Sequence, residues 1–186
     1  MKKIVCIFPG QGSQYVGMAK DYSQHPLFKK ANETLRYDLK KLCIEGPEDQ
    51  LKLTENTQPA LVTHSIILFQ ELKQKGITPD LVLGHSVGEF SALCAAGSLS
   101  FEDAIKSVHQ RGKFMQSAVP IGKGGMTAIL KAEDEIIAKA CEESSQDGDF
   151  CSVANYNSPG QVVISGHLNA LERVNEYLKS HDIKFR

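Results

Sequence analysis

Asp80-Leu-Val-Leu-Gly84-His-Ser-Val-Gly88-Glu-Phe90 sets an apolar strand, a glycine-flanked serine and a helix start in unbroken succession. Leu81 to Leu83 read as a buried strand of a parallel sheet, and the small residues Ser91 to Ala96 continue as a helix closed by Gly97. Gly84 to Gly88 match G-x-S-x-G, a pattern that chance often produces. Its weight comes from the strand running in and the helix running out. So sharp a turn strains its central residue, and flanking glycines remove side chains that would collide there. Ser86 is expected at the mouth of the helix, as a nucleophile beside backbone N–H groups that stabilise an oxyanion. The plainer reading makes Ser86 an N-cap of an ordinary turn.

Upstream, Lys2–Phe8 reads as a second strand buried on both faces, ending in Pro9-Gly10-Gln11-Gly12-Ser13-Gln14. Parallel strands bring their C-terminal ends to one side of a sheet, so the N–H of Gln11 can complete an oxyanion hole with that of Val87. A dinucleotide loop is excluded because residue 15 is Tyr, and a Walker A loop because Lys113 precedes Phe114. Leu27–Cys43 is weakly helical, with a Gly-Pro break at 46 and 47. A largely buried helix spans Pro59 to about Lys75, with Pro59 in its first turn and Gly76 at its end. Ser100-Phe-Glu-Asp103 is a capping box opening a helix to about Ala118. Residues 1 to 118 therefore read as an α/β core with parallel strands.

On that last helix Ala104, Ile105, Val108 and Met115 form an inward stripe, and Arg111 shares it. A guanidinium facing a core must be paired. Spacing favours a structural carboxylate over an anionic ligand, although the forked donor suits a ligand carboxylate well. The histidines read as structural or solvated, and none declares itself a general base for Ser86.

After Pro120 the texture changes. Met126–Leu130 reads as a strand, Ala132–Glu143 as a helix, and Cys151–Tyr156 and Gln161–Ser165 as strands joined by Asn157-Ser-Pro-Gly160. Leu168, Leu171, Val174 and Leu178 make a helical stripe, and Ile183–Arg186 starts a strand. That order, βαββαβ, is the ferredoxin-like plan.

Composition narrows the partners. With 186 residues, 41% hydrophobic and 23% charged, the chain reads as a soluble globular protein. A balance of 21 basic and 22 acidic residues argues against nucleic acid and anionic membranes. No apolar run approaches the roughly 20 residues of a membrane span, and the apolar start is too short for a signal peptide. Five cysteines without CxxC spacing read as reduced cytoplasmic thiols, with no metal site.

Five stretches carry a resemblance: Pro9-Gly-Gln-Gly-Ser-Gln14, Thr57-Gln-Pro-Ala60, Gly84-His-Ser-Val-Gly-Glu-Phe90, Gln110-Arg-Gly-Lys-Phe-Met115 and Ala154-Asn-Tyr-Asn-Ser-Pro-Gly-Gln-Val-Val-Ile164. In this order they resemble the malonyl-CoA:acyl carrier protein transacylase family of fatty-acid synthesis and the related acyltransferase domains of polyketide synthases. The resemblance implies an α/β-hydrolase-like parallel-sheet core with an inserted ferredoxin-like subdomain. It implies that Ser86 attacks the malonyl thioester, releases coenzyme A and passes the acyl group to the phosphopantetheine thiol of an acyl carrier protein. Gln11 and Val87 would form the oxyanion hole through their backbones, and Arg111 would hold the malonyl carboxylate, reversing the preference drawn from spacing. His85 and Met115 would line the acyl pocket, with His85 not the base, and Asn155 would line the site. Coenzyme A enters as part of the substrate, with no tightly bound cofactor.

The family's catalytic histidine follows the fourth strand of the small subdomain, and nothing after Ile183 matches it. The expectation is a fragment: residues 1–120 as the first part of the core, 121–186 as a small subdomain incomplete at its last strand, and the C-terminal part of the core absent. Two rivals are a carrier-protein thioester hydrolase, against which Arg111 argues, and a docking module without catalysis. Isolated 1–186 is expected to give no transacylase turnover; malonyl transfer at a rate near that of a full-length homologue would overturn this.

Overall fold

The computed structural model describes residues 3–119 and 122–186. The chain divides into two compact units, Met1–Ala118 and Val119–Arg186. Lys2, where the first strand was expected to begin, and Pro120 and Ile121, which flank the expected domain boundary, lie outside the described residues.

In the first unit, β1 (Val5–Phe8) and β2 (Leu81–Gly84) pair in parallel, with Val5 opposite Leu81 and Phe8 opposite Gly84. Burial on both faces is not what these strands have. Val5, Ile7, Leu81 and Leu83 are exposed, Ile7 at 72%. Successive side chains alternate across a sheet, so Cys6, Phe8 and Val82 turn the other way, onto Phe69 and Ala92. Helices pack on that face, and the opposite one stays open.

Between the strands run α1 (Pro26–Leu35), α2 (Leu39–Glu45), α3 (Glu48–Lys52) and α4 (Thr54–Gln74). The weakly helical 27–43 is two helices. Arg36 takes a left-handed φ of 62°, and the Asp38 carboxylate caps α2 by accepting from the Lys41 N–H at 3.0 Å. Gly76, at φ 80°, ends α4 as expected. After β2 come α5 (Gly88–Ala95) and α6 (Phe101–Ala118). Ser100 caps α6 by accepting from the Asp103 N–H at 3.1 Å, while its hydroxyl donates to the Asp103 carboxylate.

Helix α4 starts at Thr54, so Pro59 lies inside it and not in its first turn. Proline has no N–H for the carbonyl four residues back, here that of Glu55. His109 of α6 takes that carbonyl through Nδ1 at 2.9 Å, with its ring beside Tyr37. The crossing is close because Gly112 carries no side chain: a Cβ there would fall 2.5 Å from Glu55 Cα. Gly112 is buried at this crossing, whereas Met115, expected on the inward stripe, is 48% exposed. Ala104, Ile105 and Val108 are fully buried, as the stripe predicts.

The second unit runs β3 (Gly124–Leu130), α7 (Asp134–Ser144), β4 (Cys151–Ser158), β5 (Gln161–His167), α8 (Leu168–Ser180) and β6 (Lys184–Phe185). Its sheet order is β4-β5-β3-β6, and every described pairing is antiparallel. Pro159 and Gly160, the latter at φ 75°, join β4 to β5 in a two-residue turn tighter than the sequence suggested. Helices α7 and α8 bury Ile137, Ala140, Leu171, Val174 and Leu178 against Ile129, Val162 and Ile164. His109→Phe should cost about 1–3 kcal/mol in urea unfolding by stranding the Glu55 carbonyl; a loss below measurement error would deny the bond that role.

Candidate active site

Ser86 sits between β2 and α5 with a left-handed φ of 53°. Backbone packing imposes that conformation. A Cβ on Gly84 would fall 2.0 Å from the Gly88 carbonyl carbon, and one on Gly88 would fall 2.3 Å from the Phe8 carbonyl oxygen. The N–H groups of Gly88, Glu89 and Phe90 turn back onto the carbonyls of His85, Ser86 and Val87. The Val87 side chain is buried in the unit's core and anchors the turn, while Ser86 and His85 are exposed.

The loop after β1 lies against this turn. The His85 N–H donates to the Phe8 carbonyl at 3.1 Å, and a Cβ on Gly10 would fall 2.6 Å from His85 Nδ1. Ser13 donates to the Gly10 carbonyl at 2.9 Å, and the Gln14 side chain accepts from the Gly12 N–H at 2.8 Å, so the loop braces itself. Gln11 reaches across to Thr54 Oγ1 at the start of α4.

Arg111 completes the cluster. One guanidinium nitrogen donates to Ser86 Oγ at 3.2 Å and the other to Gln58 Oε1 at 2.8 Å. The Gln58 amide nitrogen faces Met115 Sδ at 3.2 Å. Among the described residues no carboxylate pairs with Arg111, so the structural ion pair favoured by spacing is not what holds it. Arg111 and Met115 also border an open groove of about 570 Å³ with Lys106, Gln110 and Phe114.

Ser86, His85, Arg111 and Met115 therefore gather in the first unit with the Gly10–Gln11 loop and Val87, whereas Asn155 belongs to the second unit. Asn155 is half-buried on β4, at a bulge where it pairs with Val163 and Ala154 becomes the extra residue. Sequence alone assigns Gln58 no role, and its burial on α4 beside other buried polar residues, Thr57, Thr63 and Ser65, shows only in the structure. The thiols are poor rivals to Ser86. Burial pushes Cys43 up to about 12 and Cys94 up to about 11, and Cys141, also desolvated and beside Cys151, up to about 12. No group of three or more metal-binding side chains occurs among the described residues. None of their helices is long and apolar enough to cross a membrane.

A serine strained between a parallel strand and a helix is thus faced by a guanidinium that has no carboxylate partner among the described residues. The chain belongs to the acyl transferase domain family, whose model matches residues 5–186. It is 47% identical over 189 residues to the malonyl CoA-acyl carrier protein transacylase of Bacillus subtilis strain 168, covering 99% of this chain and 60% of that protein. The malonyl CoA-acyl carrier protein transacylase of Clostridium perfringens superposes with a TM-score of 0.92 at 42% identity, over 100% of this chain and 60% of that one. A malonyl-transacylase in complex with its type II PKS acyl-carrier protein gives 0.92 at 43%, over 98% and 61%. The chain spans about 60% of the length of the curated relatives it matches.

Ser86→Gly should be at least as stable as the wild type, gaining up to about 1 kcal/mol as the strain is released. Gly84→Ala should lose about 1–3 kcal/mol or more. Denaturant melts that ranked these two variants the other way would contradict the packing described.

Proposed function

We propose that the chain carries the nucleophile and acyl-binding part of a malonyl-CoA:acyl carrier protein transacylase. The observation that carries this reading is the Arg111 guanidinium, 3.2 Å from Ser86 Oγ and held by a neutral amide. Ser86 Oγ attacks the thioester carbonyl, the carbon–sulfur bond breaks, and coenzyme A leaves as its thiol, having gained the proton that the serine hydroxyl gave up, with an acyl-serine formed. The pantetheine thiol of the carrier protein then attacks that ester and restores Ser86. A malonyl ester on Ser86 bears its free carboxylate one methylene beyond the ester carbonyl, within reach of a guanidinium that already touches Oγ. Arg111 is a donor only and cannot take the serine proton.

The N–H groups of Val87 and Gln11 form the oxyanion hole in this reading. Support comes from the start of α5 immediately after Val87 and from the contact between the Gly10 loop and His85. His85 and Met115 line the acyl pocket in this reading, supported by the Met115 contact with Gln58. The first unit is read as an α/β-hydrolase-like core on the strength of its parallel pair and serine turn. The second is read as a ferredoxin-like subdomain, supported by the sheet order β4-β5-β3-β6. Coenzyme A arrives and leaves as substrate and product, and the balanced charge suits a cytoplasmic enzyme of fatty-acid or polyketide synthesis.

The test is intact mass of the natural gene product after incubation with malonyl-CoA. A malonyl adduct on Ser86 that a carrier-protein thiol discharges is expected; rapid loss to water would make it a hydrolase, and no adduct would deny it catalysis. Arg111→Ala should lower malonyl use by about tenfold to a hundredfold and relax acceptance toward acetyl groups. An unchanged malonyl preference in that variant would remove Arg111 from its role.

A further inference from the structure

Gln58 lies fully buried on α4, one residue before the proline that α4 accommodates. Its amide is used at both ends. The Arg111 guanidinium can only donate, so it must meet Gln58 Oε1, and this sends the NH₂ toward the Met115 thioether, a weak acceptor. The network leaves one orientation for the amide and one for the guanidinium edge it holds. The other edge is thereby presented to Ser86 Oγ.

The chemistry of the partner matters as much as its place. Arg111 is half-buried, and a carboxylate at the place of Gln58 would cancel its charge and compete with any acidic ligand. Gln58 supplies an acceptor of the same reach with no charge. The guanidinium is kept in position while its positive charge stays unspent.

We infer that Gln58 is a specificity-determining positioning residue, which holds Arg111 with a neutral acceptor so that its charge is free to select acyl groups bearing a carboxylate. This rests on the proposed role of Arg111. It makes an unusual demand: Gln58→Glu keeps the acceptor and improves the hold on Arg111, yet should spoil selection.

The experiment titrates the natural gene product with malonyl-CoA and with acetyl-CoA at constant ionic strength, for the wild type and for Arg111→Ala, Gln58→Glu and Gln58→Met. The wild type should prefer malonyl-CoA by about tenfold or more. Gln58→Glu should lose that preference as fully as Arg111→Ala, with acetyl-CoA affinity unchanged. Gln58→Met, similar in shape but without an acceptor, should lose part of it. Thermal melts report folding, and ¹⁵N spectra of the Arg111 guanidinium add an independent reading: slow Nη rotation in the wild type, faster in Gln58→Met. A wild type indifferent to the malonyl carboxylate overturns the proposed function and the inference with it. If Arg111→Ala abolishes the preference while a folded Gln58→Glu retains it, only the role of Gln58 falls. Free Nη rotation in the wild type overturns that role even if a variant fails to fold.

Discussion

The close approach of the Gly88 backbone to the carbonyl of Phe8 is the constraint on which the site depends. It docks the turn between β2 and α5 on the end of β1, where the same carbonyl also accepts the His85 N–H. With Gly84 pressed against Gly88 from the other side, the chain can turn only by putting Ser86 into left-handed geometry. Such strain persists where its surroundings over-determine it, and here backbone atoms do so on both flanks. The Gly10–Gln11 loop leaves β1 at this same point, so its place beside His85 follows from the docking.

A second close approach sets the other half of the cluster. Gly112 lets α6 lie on the backbone of α4 at Glu55, and His109 satisfies the carbonyl that Pro59 leaves without a donor. That crossing brings Gln58 of α4 and Arg111 of α6 within 2.8 Å, and Arg111 in turn reaches Ser86. Steric permission from glycines comes first, and the polar contacts are built on the geometry it allows.

Local elements were legible where a periodic pattern met a stop signal. The α7 and α8 stripes and Gly76 at the end of α4 are read from residues a few positions apart. The errors share a different origin. Pro59 reads as a first-turn residue because its compensating bond comes from His109, far along the chain. The outer faces of β1 and β2 were expected to be covered because an apolar strand states its preference but not its neighbours. Met115 reads as core on the helical wheel, yet it borders an open groove and its thioether meets the Gln58 amide, because periodicity says which face a residue is on and not how far the packing extends.

By itself the sequence determined the strand–serine–helix turn, the parallel sense of the two strands and the order of elements in the second unit, because each is encoded by local periodicity, glycine placement and turn chemistry. Only the tertiary structure decided what holds Arg111. Spacing could say that a guanidinium near a core needs a partner, but whether that partner carries charge depends on which residue of a distant helix stands opposite it. The neutral Gln58 stands there, because α4 and α6 cross where two backbones can touch.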